Sequence, residues 1–157
     1  KTYNMTGWRL GYAVGAAALM EKIGLLNDLL YICAPTPLQH AVLAAFDLPP
    51  SYYDQVRADY TRKLEMTCTA CNEAGIKPLM PQGAYYLLAD ISGLRLSDDK
   101  EAANFLLGRA GIAAVPGTSF YADPEDGRQQ IRLCFAKQDD DLEEACRRLR
   151  GIRSARP

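Results

Sequence analysis

At 157 residues the chain can close one ordinary domain, or one and a piece. It is 48% hydrophobic and 24% charged, and its 18 basic and 19 acidic side chains give a net charge of -1. This leaves no electrostatic footprint for nucleic acid or an anionic membrane surface. No apolar run approaches the ~20 residues that span a bilayer and no signal pattern is present, so the expectation is a cytoplasmic enzyme or binding domain without a nucleic-acid or membrane partner.

The first residues, KTYNMTGWRLGY, place a lysine at position 1 and an arginine at position 9, fenced by Gly7 and Gly11. Trp8 to Gly15 read as a short glycine-edged strand. It feeds a helix in which Leu19, Ile23, Leu26 and Leu30 recur at helical spacing. Pro35 and Pro37 break the chain, and LQHAVLAAF resumes a helix that is apolar on nearly every side and needs a cover. The lone His40 in it reads as structural or interfacial. After Pro49 and Pro50, a long amphipathic helix carries Val56, Tyr60, Leu64 and Cys68 on one face and stops at Gly75.

IKPLMPQGAYYLLADIS then reads as strand, Pro-Gln-Gly turn and strand. Asp98 and Glu101 form a capping box for a helix ending near Gly111. IAAVPGTSFY gives a short strand and a loop. GRQQIRLCFA gives a strand with Ile131, Leu133 and Phe135 on one face and Arg132 on the other. Asp140 with Glu143 opens a last helix with an apolar stripe of Leu142, Ala145, Leu149 and Ile152.

Two regions follow from this order. Residues 1–50 read as a strand plus two helices cut from a larger cofactor-binding domain, with faces too apolar to stand alone. Residues 51–157 read as a linking helix and an α+β layer that closes by itself. The five cysteines are scattered through apolar segments and read as reduced, mostly buried thiols. Cys68 and Cys71 form a single CxxC within a helical pattern, with no second pair to complete a metal site, and no metal is expected.

Singly, Lys1 and Arg9 read as solvated charges. Arg132 reads equally as a rim residue or as a guanidinium awaiting an acid or an anionic ligand. Together, KTYNMTGWRLGY, PQGAYY, VPGTSFY and IRLCFA, in this order, resemble the class I/II aminotransferases of fold type I, near the kynurenine/glutamine and aspartate/aromatic branch. The resemblance implies the C-terminal part of a pyridoxal 5'-phosphate (PLP) enzyme of α/β class: a fragment of the large domain followed by the α+β small domain.

It also implies roles for individual residues. Lys1 would be the Schiff-base and acid/base lysine, and Arg9 would bind the cofactor phosphate. Arg132 would grip the substrate α-carboxylate, and Tyr85 would stand beside the substrate entrance. The implied reaction moves an amino group between an amino acid and a 2-oxo acid in a homodimeric full-length parent. The 157-residue piece is expected to be inactive alone, because groups that hold the cofactor ring lie outside it. A lyase or synthase of the same fold, or an aminotransferase-like effector domain of a transcription regulator, are the alternatives.

Overall fold

The computed structural model describes residues 2–152. The chain divides between Val56 and Arg57 into two compact units.

In the first unit, Thr6–Trp8 make one 3-10 turn, followed by helices α1 (Ala17–Tyr31) and α2 (Thr36–Val42) and a 3-10 stretch at Leu43–Asp47. Pro37 sits in the opening turn of α2, where its missing N–H costs no helical hydrogen bond. The strand expected over Trp8–Gly15 does not form. Arg9 closes the 3-10 turn in the left-handed region (φ 57°), and residues 10–16 have no regular structure. A strand persists only where a neighbour takes up its N–H and C=O groups, and no strand exists among the described residues of this unit. Tyr12 and Val14 are accordingly 89% and 87% exposed.

Helix α1 occurs where its spacing predicts, yet buries none of its residues; Leu26 and Leu30 are 56% and 72% exposed. Order in this unit comes instead from an aromatic cluster. Tyr3 packs on Phe46, Tyr52 and Tyr53 at centroid distances of 6.4, 6.2 and 6.3 Å, and the Tyr52 hydroxyl donates to the Thr2 carbonyl at 2.9 Å.

Helix α3 (Pro50–Ala74) begins in the first unit, and its residues 57–74 belong to the second. There follow β1 (Lys77–Leu79), β2 (Tyr86–Asp90), α4 (Asp99–Ala110), β3 (Val115–Pro116), β4 (Gln130–Cys134) and α5 (Asp139–Gly151). The strands form one antiparallel sheet in the order β1-β2-β4-β3. Leu87 and Ala89 of β2 and Ile131 and Leu133 of β4 share one face. They are buried with Cys71 and Ala74 of α3, Ala102 and Leu106 of α4, and Leu142, Cys146 and Leu149 of α5. All three helices therefore cover the same side of the sheet, and Tyr86, Leu88, Arg132 and Cys134 occupy the opposite, half-buried side.

Helix α4 starts at the expected box. The Glu101 N–H donates to Asp98 Oδ1 at 2.8 Å, while the Glu101 carboxylate turns back to Ser97 and accepts from its N–H and hydroxyl, both at 2.7 Å. Gly111 ends it at φ 65°. Helix α5 begins two residues earlier than the Asp140–Glu143 box implies, with Gln138 rather than Asp140 at its N-cap and no side-chain cap. Its apolar stripe runs through Cys146 rather than Ala145. Asp139 is instead spent on α3, where its Oδ1 accepts from the Arg62 guanidinium at 2.8 Å and lies 3.3 Å from Lys63 Nζ.

Candidate functional site

Arg132 stands in the middle of β4, opposite Leu88 of β2 and Val115 of β3. Alternation along the strand buries Ile131 and Leu133 and turns Arg132 to the face away from the helices. Two rings lie over its guanidinium: Tyr86 at 4.2 Å and Phe120 at 4.3 Å from Cζ to ring centroid. Tyr86 comes from the strand on one side of β4, while Phe120 comes from the 3-10 turn Gly117–Phe120 that follows the strand on the other side. None of the ion pairs among the described residues includes Arg132. Its guanidinium is thus flanked by rings and not committed to a carboxylate among the described residues, which suits a carboxylate from outside.

Tyr85 begins the same strand region with its carbonyl accepting from the Phe135 N–H at 3.1 Å. Its ring lies 6.5 Å from Tyr60 and 4.3 Å from Tyr86, packed against the edge of the core. The Tyr86 hydroxyl donates to the Tyr85 hydroxyl at 3.3 Å, which links Tyr85 to Arg132 through its neighbour. The sequence places Tyr85 and Tyr86 side by side in a strand, with core packing expected of at least one, but carries no signal that brings Tyr86 or Phe120 to Arg132. Tyr86 shares the parity of Arg132 only once the β2–β4 register is known, and no local signal sets that register.

The turn bearing Phe120 is anchored at its base. Thr118 N–H donates to Asp99 Oδ2 at 2.8 Å, and Asp99, in the first turn of α4, is 1% exposed. Gly117 and Gly127 meet backbone to backbone. A Cβ on Gly117 would fall 2.4 Å from the Gly127 carbonyl oxygen and 2.6 Å from that of Gln130.

In the first unit, the Arg9 side chain is exposed and donates from Nη1 to the Thr6 carbonyl at 3.3 Å. It too is absent from the ion pairs among the described residues. Gly7 and Gly11 have open space where a Cβ would stand. An exposed guanidinium not engaged by a carboxylate, beside glycines that leave room, fits a phosphate group. Lys1 lies outside the described residues. Nearby, the hydrogen bond with Tyr53 raises the Tyr3 phenol above its ordinary range.

Other features carry less chemistry. Burial pushes the Cys71 thiol up to about 12, so the CxxC is an inert pair in the core. Among the described residues no metal-holding cluster of His, Cys, Asp or Glu occurs, and no helix is long and apolar enough to cross a membrane. An open depression between α4 and β3, lined by Lys100, Asn104, Leu107 and Pro116, contains none of the residues singled out above.

Comparison with known proteins decides the family. The model of the family "Aminotransferase class I and II" matches residues 1–149. The chain belongs to the class I and II aminotransferases. Among similar curated proteins, the methionine aminotransferase of Escherichia coli K12 is 37% identical across 97% of this aminotransferase chain and 39% of its own length. The aspartate/prephenate aminotransferase of Cereibacter sphaeroides is 32% identical across 97% and 39%. Among solved structures, the N-succinyldiaminopimelate aminotransferase of Mycobacterium tuberculosis superposes with a TM-score of 0.85 at 30% identity, over 97% of this chain and 40% of that one. The chain therefore spans about two fifths of the length of the relatives it matches, which makes it a partial aminotransferase fold. The family is generally PLP-dependent. The relatives named are aminotransferases, which does not favour the lyase or transcription-regulator readings.

Proposed function

We propose that this chain is the C-terminal part of a PLP-dependent aminotransferase that moves an amino group between an amino acid and a 2-oxo acid. The observation that carries the reading is Arg132, a guanidinium braced by two aromatic rings and paired with no carboxylate among the described residues. Residues 1–50 would be the end of the large cofactor-binding domain, and residues 51–157 the linking helix and small domain. The exposed apolar residues of α1 support this, since covering what remains exposed of Leu26 or Leu30 with a partner surface stabilises by roughly 1–2 kcal/mol each. The rest of the protein and the second subunit of a homodimer would supply that cover.

In this reading Lys1 would hold the cofactor covalently through Nζ, and once the substrate's amino group displaces it, the freed amine would take and return the proton at the substrate Cα. Its amine must be neutral to do so, which desolvation and neighbouring positive charge favour. Arg9 binds the cofactor phosphate through its forked donors. Arg132 orients the α-carboxylate so that the Cα–H bond faces the reacting centre, and Tyr85 borders the entrance. The cofactor itself supplies a covalent handle for the amino group and a sink for electrons. The 157-residue piece alone is expected to be inactive. In the full-length protein, Lys1→Ala should abolish amino transfer between amino acids and 2-oxo acids. Full turnover by that variant would refute the assignment.

A further inference from the structure

We propose that Phe120 and Tyr86 are positioning residues that hold the Arg132 guanidinium ready for a substrate carboxylate, and that the buried Asp99 carboxylate keeps Phe120 in place. This rests on the reading of Arg132 as the carboxylate-binding group.

Phe120 is 42% exposed and lies outside the core cluster, so burial does not account for its placement. What it does contact is the guanidinium, 4.3 Å from its ring centroid. A short turn holding an exposed ring needs its own anchor, and Asp99 supplies one from the first turn of α4. Its Oδ2 accepts the Thr118 N–H, two residues before Phe120. Asp99 is 1% exposed, a costly location for a carboxylate unless it is hydrogen-bonded. The Gly117–Gly127 contact fixes the other edge of the turn. Tyr86 completes the arrangement from β2, its hydroxyl donating to Tyr85 and its ring 4.2 Å from Arg132 Cζ.

An arginine side chain free to sample its rotamers must be ordered when a ligand binds. The rings do that ordering beforehand and, unlike an acidic partner, leave the N–H donors available. Removing a ring should therefore weaken carboxylate binding while leaving the chemical step in place.

The test uses the full-length holoenzyme that contains this chain. Phe120→Leu should raise KM for the amino acid about fivefold, with the change on KM rather than kcat. The dissociation constant of propanoate, a carboxylate with no amino group to react, should rise by about the same factor. Asp99→Ala should reproduce the effect, and the double variant should be no worse than either single one, because both act through the same ring. Arg132→Lys in the same protein separates the two ideas. If Arg132→Lys weakens propanoate binding while Phe120→Leu and Tyr86→Leu leave it unchanged, the positioning role is overturned and the carboxylate role stands. If Arg132→Lys leaves KM and propanoate binding unaltered, both are overturned.

Discussion

Replacing Gly117 by alanine tests whether the Arg132 face is built by backbone contact. The added Cβ would fall 2.4 Å from the Gly127 carbonyl oxygen, 2.6 Å from the Gln130 carbonyl oxygen and 2.8 Å from Gln130 Cβ. Ordinary carbon contacts begin near 3.5 Å, so the loop must retreat by about 1 Å. The obstructing atoms are backbone oxygens on the neighbouring turn and on β4, with the Gln130 Cβ that moves only with its backbone, so β4's pairing with β2 and β3 would have to be disturbed. Overpacking typically costs 1–3 kcal/mol, and the upper end, about 3 kcal/mol, applies where no flexible side chain can yield.

A control lies nearby: Gly108, inside α4, has nothing within 4 Å of its Cβ position. Gly108→Ala should stabilise by about 0.5–1 kcal/mol through lower chain entropy. Urea denaturation of the full-length protein, read by circular dichroism, should move the two midpoints in opposite directions. An unchanged midpoint for Gly117→Ala, or the same sign for both variants, would refute the close-packing argument.

Asp98→Ala should lower stability by about 1 kcal/mol, because the Glu101 N–H then loses its acceptor at the start of α4; the same denaturation assay reads it. The Cys71 thiol titrates at about 12 in the fold against an ordinary 9.0, so its contribution is complete below pH 9 and is lost as pH rises towards 12. That loss should run at about 1.4 kcal/mol per pH unit, and a Cys71→Ala variant should show a flatter alkaline limb in the stability–pH curve. At pH 8 a thiol reagent should modify the exposed Cys33 in the native 157-residue chain and leave Cys71 untouched until denaturant is added; rapid native labelling of Cys71 would contradict its burial.

Much of the second unit was legible in the sequence because its signals are local. Asp98 with Glu101 and the terminal Gly111 bracket α4, and the alternation of Ile131, Arg132 and Leu133 sets the faces of β4. The first unit was less legible. WRLGYAVG carries strand-like residues, but a strand is a pairwise object, and without a neighbour Trp8 ends a 3-10 turn, residues 10–16 stay irregular, and Tyr12 and Val14 are exposed. The stripe of α5 also shifted, from Ala145 to Cys146, because packing against α3 and the sheet, rather than hydrophobicity alone, decides which side of a helix faces inward.

The same division holds at the candidate site. By itself the sequence determined the family and the residue types: a lysine and an arginine spaced around glycines, and an arginine within an apolar strand. Those are covalent facts of order and spacing. Only the tertiary structure decided that Arg132 meets Tyr86 and Phe120, which are 46 residues before and 12 residues before it in the chain. Strand register and the Asp99–Thr118 hydrogen bond bring them together, and both depend on contacts between distant segments that local propensity does not encode.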